Sequence, residues 1–175
     1  MRIVRLADCP VQRWRNGGGN TRELASHSED GDVIWRISVA TIAADGPFSR
    51  FDGMDRSLVP LGGGVLTLTV DGHVRVANGE IAAFPGEASV IASIRKAPVQ
   101  VINIMTRRKT ATHYVTIGNL PPAPRRAQHF AILLAPSSWQ DKQLATGDLL
   151  AHVTSSDLPD GVSFAIATII SSSKS

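Results

Sequence analysis

The chain has only one cysteine, Cys9, among its 175 residues. One thiol excludes an internal disulfide and argues against a zinc site built from cysteines. It fits a reducing compartment, so we expect the protein to be cytoplasmic. No stretch approaches 18 consecutive apolar residues, and residues 1–10 lack the apolar core of a secretory signal. We therefore expect no membrane partner.

The sequence also lacks the local motifs of common catalytic sites. It has no Gly-x-Ser-x-Gly elbow for serine hydrolysis and no Gly-Lys-Ser/Thr ending for a nucleotide loop. Nothing near Cys9 lowers its pKa or supplies a base. The histidines form no His-x-His, His-x3-His or His-Glu-x-x-His spacing, so we expect no metal and no other cofactor. These histidines are His27, His73, His113, His129 and His152.

The charge pattern does not indicate a nucleic-acid partner. The net charge is +3, and its excess lies in residues 61–110, which hold six basic and three acidic residues. The densest cluster is Arg107-Arg108-Lys109, and Arg125-Arg126 is a smaller one. Nucleic-acid binding requires a broader basic stripe with a reading motif. We expect these arginines to lie at solvated strand ends and loops.

What the sequence does have is segments in which apolar residues recur at every second position. Residues 33–39 place Val33, Trp35, Ile37 and Val39 on one face of a strand. Similar short strands, separated by turn signals such as Asp71-Gly72 and Asn78-Gly79, predict an all-β antiparallel sandwich or barrel. Only short helices are expected, at 137–141 and as one turn at 54–57. Two sets of strands, in residues 1–107 and 108–175, suggest two halves fused in one compact unit.

A glycine-rich loop is the most distinctive segment. Gly17, Gly18 and Gly19 lie between Trp14-Arg15-Asn16 and Asn20-Thr21-Arg22-Glu23. Glycine tolerates positive φ and lets other groups approach the backbone closely. Successive N–H groups in such a turn can also hold an anion. The loop is therefore either a sharp structural turn or one wall of a small-molecule pocket.

Polar residues interrupt two apolar strands. Arg36 and Ser38 share one strand face, and Asn103 lies among Val99, Val101 and Met105. In a one-sided sheet such faces are solvated. In a closed barrel they line a cavity, where Arg36 and a second guanidinium, Arg56, would bind a carboxylate in bidentate fashion.

Several blocks of the sequence together resemble the HutD/Ves family. They are the Trp14–Glu23 segment, Trp35-Arg36-Ile37-Ser38-Val39-Ala40, Ala44-Asp45-Gly46-Pro47-Phe48-Ser49-Arg50-Phe51, Gly53-Met54-Asp55-Arg56, Phe84-Pro85-Gly86-Glu87 and Asn103-Ile104-Met105-Thr106-Arg107-Arg108. The blocks appear in family order over residues 11–108, and the last third of the chain carries no matching motif. The resemblance implies a bicupin, two fused cupin-like barrels, with a cavity in the first half and no catalytic metal.

The resemblance and the residue analysis together give one candidate ligand-binding set. It combines the glycine loop with polar and aromatic residues of the first half: Trp14, Asn16, Gly17, Gly18, Gly19, Thr21, Arg36, Ser38, Ser49, Phe51, Arg56 and Asn103. No catalytic residue is assigned. The short second half would form a smaller and incomplete barrel, which argues against a ligand site of its own.

Three functions follow as alternatives. The first is a metal-free accessory or sensor protein that binds a small carboxylate, such as an intermediate of histidine breakdown like formylglutamate or urocanate; the family is also linked to stress responses. The second is an isomerase or hydrolase of a small organic acid, with Glu23, Asp52 or Asp55 as base. The third is a structural or protein-interaction role. A homodimer is compatible with all three.

Overall fold

Nearly all the regular structure is antiparallel β-sheet in a computed structural model of the chain. The structure describes residues 1–76, 80–122, 124, 126–139, 141–159 and 161–172. These form fifteen strands and two 3-10 turns, Leu6–Asp8 and Ser155–Asp157. The strands are β1 Arg2–Val4, β2 Val11–Arg13, β3 Gly19–Glu29, β4 Asp32–Ile42, β5 Gly46–Pro47, β6 Met54–Val70, β7 His73–Val76, β8 Ala82–Pro85, β9 Val90–Arg107, β10 Ala111–Ile117, β11 Ala127–Leu133, β12 Ser137–Trp139, β13 Lys142–Leu144, β14 Leu149–Ala151 and β15 Phe164–Ser171.

Two large sheets make up the fold. The first has the order β2-β3-β4-β9-β6-β7, with β5 added to β9 and β8 added to β6. The second has the order β1-β14-β11-β15-β10, and β12 and β13 form a separate hairpin. The fold is therefore all-β and cupin-like, as the sequence predicted. Strand β1 joins the second sheet, so the start of the chain completes the half built after residue 107.

Bends in the long strands curl the first sheet. The register between β6 and β9 shifts between Pro60 and Gly62 and again between Gly63 and Val65. Gly63 has a φ of +101°, and a Cβ there would overlap the carbonyl oxygen of Pro98. Such irregularities bend a strand and increase its twist. The curled sheet encloses an apolar interior that includes Leu66, Leu68, Val90 and Val99.

The core consists of three clusters. One cluster lies inside the first barrel, and a second lies between the two sheets, where Trp35 packs on Phe130 with ring centroids 5.0 Å apart. The third fills the interior of the second half with side chains such as Leu133, Leu150 and Phe164. Because those side chains are almost fully buried, the second half has a packed interior where the first has a cavity.

Several local predictions were wrong. Residues 54–57 begin β6 and residues 137–139 form β12, so the structure has strands where short helices were expected. Pairing of β6 with both β8 and β9 overrides the local turn signal there. The Asp71-Gly72 hairpin turn is present with φ of +47° and +81°, and Asn78-Gly79 lies outside the described residues.

Candidate functional site

Strand register brings two arginines to one wall of the first barrel. Met105 on the central strand β9 lies opposite Arg36 on β4 and opposite Arg56 on β6. One step along the same face, Asn103 lies between Ser38 and Leu58. The period of two along each strand therefore places both guanidinium groups and the Asn103 amide on the inner face of the barrel.

Arg56 is held by long hydrogen bonds and aromatic rings. Only 7% of it is exposed. It donates through Nη1 to the Ser49 carbonyl oxygen and through Nη2 to Asn103 Oδ1, both at 3.3 Å. Its guanidinium carbon lies 5.1 to 5.5 Å from the ring centroids of Phe48, Phe51 and Phe84. Burial, together with the charge of Arg36, lowers the pKa of Arg56 to about 10.

Arg36 has still weaker partners. Its Nη2 contacts the Met105 sulfur at 3.7 Å, and its guanidinium carbon lies 5.6 Å from the Phe51 ring centroid. The Nε atoms of both Arg36 and Arg56 are buried without a hydrogen-bond partner among the described residues. Ser38 Oγ, on the same face, is buried and unpartnered as well. Buried polar atoms in folded proteins almost always have partners, so a cluster of three unpartnered polar atoms on one wall is unusual.

These residues line a cavity of about 400 Å³. Four of the described lining residues are arginines, and none is acidic. The lining consists of Arg13, Trp14, Arg15, Asn16, Thr21, Arg36, Ala40, Ile42, Pro47, Phe48, Ser49, Phe51, Arg56, Leu58, Val101 and Asn103. The cavity thus presents a surplus of positive charge against apolar and aromatic walls, an arrangement that can hold a small anion.

The glycine loop shapes one edge of this cavity without lining it. Gly17 has a φ of +71°, which favours glycine. Gly19 lies so close to β4 that a Cβ there would overlap the Thr41 carbonyl oxygen. The loop is tied by the N–H of Trp14, which donates to the Gly19 carbonyl at 3.0 Å, and Trp14 Nε1 donates to Thr21 Oγ1 at 2.8 Å. Of the two interpretations of the loop, this geometry supports the turn.

The structure brings eight of the twelve candidate residues together around the cavity. These are Trp14, Asn16, Thr21, Arg36, Ser49, Phe51, Arg56 and Asn103. Gly17, Gly18, Gly19 and Ser38 are not among the lining residues, although all four adjoin residues that are. That the set binds a ligand remains a prediction.

Sequence reasoning missed part of the lining. Arg13 and Arg15 flank Trp14 at the end of β2, and Phe48 follows β5 in the loop that carries Ser49 and Phe51. Every second residue along β4 from Arg36 and along β9 from Asn103 faces the same side, and this period would have predicted the apolar lining residues Ala40, Ile42 and Val101. The short strand β2 was not predicted, and Arg13 and Arg15 lie in the β2–β3 hairpin at the cavity.

The carboxylates considered as catalytic bases are outside the lining. Glu23 accepts a hydrogen bond from Ser26, and Asp52 is an exposed side chain 3.9 Å from Arg50. Asp55 accepts from Arg108 Nε at 2.8 Å. These positions do not support the suggested general base, since a base must lie within hydrogen-bond reach of its substrate.

Arg108 holds the loop before β6 from outside the barrel. Besides Asp55, it donates from both Nη atoms to the carboxylate of Glu87, at 2.8 and 3.0 Å. These bonds lower the pKa of Glu87 to about 2 and raise that of Arg108. Its backbone N–H donates to the Gly53 carbonyl, so these contacts give Arg108 a structural role apart from the cavity.

The histidines are dispersed. Within the described ranges, no three His, Cys, Asp or Glu side chains lie close enough to share a metal ion. His113 instead links three strands from outside the first barrel: its Nδ1 lies 2.7 Å from Thr106 Oγ1 and its Nε2 lies 2.9 Å from Ser57 Oγ. Burial lowers its pKa. No helix in the described part of the chain is long and apolar enough to cross a bilayer.

Comparison with known proteins identifies the family. The family model HutD matches residues 6–159. The chain belongs to the HutD family. It is 33% identical over 152 residues to Protein Ves of Escherichia fergusonii, covering 83% of this chain and 80% of that protein. It is 32% identical over 109 residues to an uncharacterized 21.2 kDa protein in the hutC 3' region of Pseudomonas putida, covering 60% and 57%.

The fold of the HutD family extends over the whole chain. The structure of HutD from Pseudomonas fluorescens SBW25, described for a formate condition, superposes with a TM-score of 0.81. The alignment covers 98% of this chain and 99% of that protein, at 21% identity. At this identity the likeness establishes the shared cupin-like fold, and the chemistry of the cavity must be argued from the residues of this chain.

Proposed function

We propose that this HutD-family protein binds a small carboxylate metabolite in its first-half cavity, without a metal, as an accessory or sensor protein. The observation that carries the proposal is the pair of guanidinium groups, Arg36 and Arg56, facing a cavity with no acidic residue in its described lining. Burying a charge without a counter-charge is costly. A carboxylate supplies the missing charge and acceptors for the unpartnered Nε atoms.

The surroundings favour a small and specific ligand. A volume of about 400 Å³ lies within the range of small-molecule sites. Asn103 Oδ1 already accepts from Arg56, and the rings of Phe48 and Phe51 hold the guanidinium group from the side. The donors are thus oriented before a ligand arrives, which lowers the entropic cost of binding.

Two relatives suggest a biological setting. The Pseudomonas putida protein is named for its position next to hutC, and the Pseudomonas fluorescens structure is described for a formate condition. Formate is the smallest carboxylate, and formylglutamate or urocanate would fit a role in histidine utilisation. We therefore propose that the ligand is an intermediate of that kind.

Calorimetry with formate and with a panel of small mono- and dicarboxylates tests the proposal. At least one should bind wild type, whereas its neutral amide should not. Arg36→Lys should weaken binding about 10-fold or more, because an ammonium cannot reproduce the bidentate fork. Arg95→Lys, at an exposed position of β9, is the matched control and should bind normally. Equal affinities for wild type, Arg36→Lys and Arg56→Lys would contradict the site.

The fate of the ligand separates binding from catalysis. After prolonged incubation with wild type, a sensor or accessory protein should return the bound carboxylate unchanged, as judged by NMR of the solution. Conversion that Arg36→Lys abolishes would favour the isomerase or hydrolase alternative instead. Failure of the whole carboxylate panel to bind would favour an interaction protein.

A further inference from the structure

The outer edge of the second sheet is an unprotected β-strand. Strand β10 terminates the sheet, and among the described strands it pairs only with β15. Its sequence, Ala-Thr-His-Tyr-Val-Thr-Ile, has no formal charge, no proline and no bulge. The terminal strands β1, β2 and β7 are three or four residues long, and each contains an arginine. Short, charged edges resist pairing with other chains, whereas a long neutral edge invites it.

The direction of the free backbone groups follows from the hydrogen bonds that flank β10. Ser172 N–H donates to the Thr110 carbonyl at 2.8 Å, and Gly118 N–H donates to the Phe164 carbonyl at 2.9 Å. Even-numbered residues therefore direct their backbone groups toward β15. The odd-numbered residues, Ala111, His113, Val115 and Ile117, direct their N–H and C=O groups to the open edge.

Two large side chains of β10 are exposed, and one buried hydroxyl of this strand has no partner among the described residues. Tyr114 is 60% exposed and Ile117 is 47% exposed, although both are large and apolar. Thr116 Oγ1 is buried without a hydrogen-bond partner in the described part of the chain. A polar atom in that state normally has a partner that completes it.

We infer that β10 pairs antiparallel with β10 of a second copy of this chain, about a twofold axis at Tyr114. This register pairs all seven residues of the strand, with His113 opposite the second copy's Val115. Tyr114 then faces its own copy, and aromatic pairs at such positions stabilise a sheet. Thr112 of one chain lies opposite Thr116 of the other, so its hydroxyl can supply the bond that Thr116 Oγ1 lacks. The two five-stranded sheets become one continuous sheet.

The self-complementary register favours a second copy, and charge favours the antiparallel direction. The basic run Arg107-Arg108-Lys109 lies just before β10, and the uncharged segment 118–122 follows it. Antiparallel pairing brings the basic run of one chain against the uncharged segment of the other. Arg107 and Arg108 are already paired with Asp32, Asp55 and Glu87, so the like charge that a parallel arrangement would bring together is mainly that of Lys109. A basic or acidic partner strand would find no complementary charge on β10 itself.

Sedimentation equilibrium of the full chain tests the interface. Wild type should have twice the mass of one chain, and Tyr114→Lys should have the mass of one, because two ammonium groups would meet at the axis. Val74→Lys, at a similarly exposed site on β7, is the matched control and should stay dimeric. A wild-type protein that is monomeric at every concentration measured, or a Tyr114→Lys variant that remains dimeric, would overturn the inference.

Cysteine cross-linking tests the register. Opposed residues of such a pair have Cβ atoms about 4.5–5.5 Å apart, close enough for a disulfide after slight adjustment. Under mild oxidation Tyr114→Cys should form a covalent dimer, and so should the double variant Thr112→Cys, Thr116→Cys. Thr112→Cys alone should not. Cross-linking of Thr112→Cys alone, or none by Tyr114→Cys, would show that this register is wrong.

Discussion

Replacement of Arg56 by methionine separates the stability of the empty protein from its ability to bind. Arg56 is nearly buried, forms no ion pair with a described residue, and has a pKa lowered to about 10 by burial and by Arg36. Since an ordinary arginine pKa is near 12.5 and each tenfold change is about 1.4 kcal/mol, the charged form costs about 3 kcal/mol here. Contacts with three phenylalanine rings, together with the two long hydrogen bonds to Ser49 and Asn103, return about 2 kcal/mol.

Arg56 therefore lowers the stability of the ligand-free protein by a net of about 1 kcal/mol, and Arg56→Met should remove this cost. For a chain of this length, that corresponds to a rise of about 2–4 °C in the Tm of the ligand-free protein. Binding should fall, because a hydrogen bond to a charged group contributes about 1.5–3 kcal/mol, equivalent to about 10–150-fold in Kd. The same substitution should therefore raise stability and lower affinity.

Differential scanning calorimetry, with and without a carboxylate from the panel that binds wild type, measures both the stability and the loss of affinity. At about 100 times Kd, a ligand should stabilise wild type by about 2.7 kcal/mol, or about 5–10 °C. That increment should fall to about 0.3–1.4 kcal/mol in Arg56→Met, because its Kd is about 10–150-fold higher, and should persist in Arg95→Met. A ligand-free Arg56→Met protein that melts more than about 5 °C below wild type would refute the reasoning, since it would show that Arg56 is a structural residue.

Three further substitutions test other parts of the structure. Gly19→Ala should destabilise the protein by about 1–3 kcal/mol in urea unfolding, because its Cβ would overlap the Thr41 carbonyl oxygen. Gly18→Ala is the milder control, because its Cβ would lie 3.3 Å from Asn16 Oδ1. Equal losses of stability in the two variants would contradict the prediction. Asp148→Asn should cost about 3–5 kcal/mol, because the buried carboxylate accepts from Arg5 and from the N–H groups of Leu6 and Ala145; a loss below about 1 kcal/mol would refute that role. In the folded wild-type protein the pKa of His113 is lowered, so below about pH 6.5 the unfolded chain binds more protons than the folded one. Stability therefore falls as the pH drops from about 6.5 through the folded pKa. His113→Gln should make this loss of stability less steep. Unfolding at several pH values measures how steeply stability falls with acidification. Part of the slope should remain in His113→Gln, because the pKa of His129 is also lowered. A slope equal to that of wild type would contradict the prediction.

Alternation along single strands predicted the central part of the site. In β4 and β9 the apolar residues on the buried faces left Arg36, Ser38 and Asn103 as anomalies, and the structure places these three on one inner wall. Closure of the sheet decided between a solvated face and a cavity, and alternation within one strand carries no information on closure. Arg56 was predicted as a second guanidinium near the same cavity, although its own strand was not recognised as beginning at Met54.

Strand pairing explains what the sequence could not predict. Arg13 and Arg15 lie in the hairpin of β2 and β3, which adjoins the cavity because β3 pairs with β4. Residues 54–57 and 137–139 have turn and helix-start signals, yet neighbouring strands hold both as β-structure. Local propensity is a weak guide where pairing with other strands holds a segment in β-structure.

The two halves differ in what fills them, and this difference supports the location of the site. Leu133, Leu150, Phe164 and Ile166 occupy the interior of the second half. The inner wall of the first barrel instead carries two guanidinium groups, and the burial of Arg56 without a described counter-charge costs stability. Apolar side chains of similar volume would remove that cost, and similar replacements of buried ion clusters are often neutral or stabilising. The contrast between one fully packed interior and another with uncompensated charge supports the proposal that an anion from outside binds in the first-half cavity.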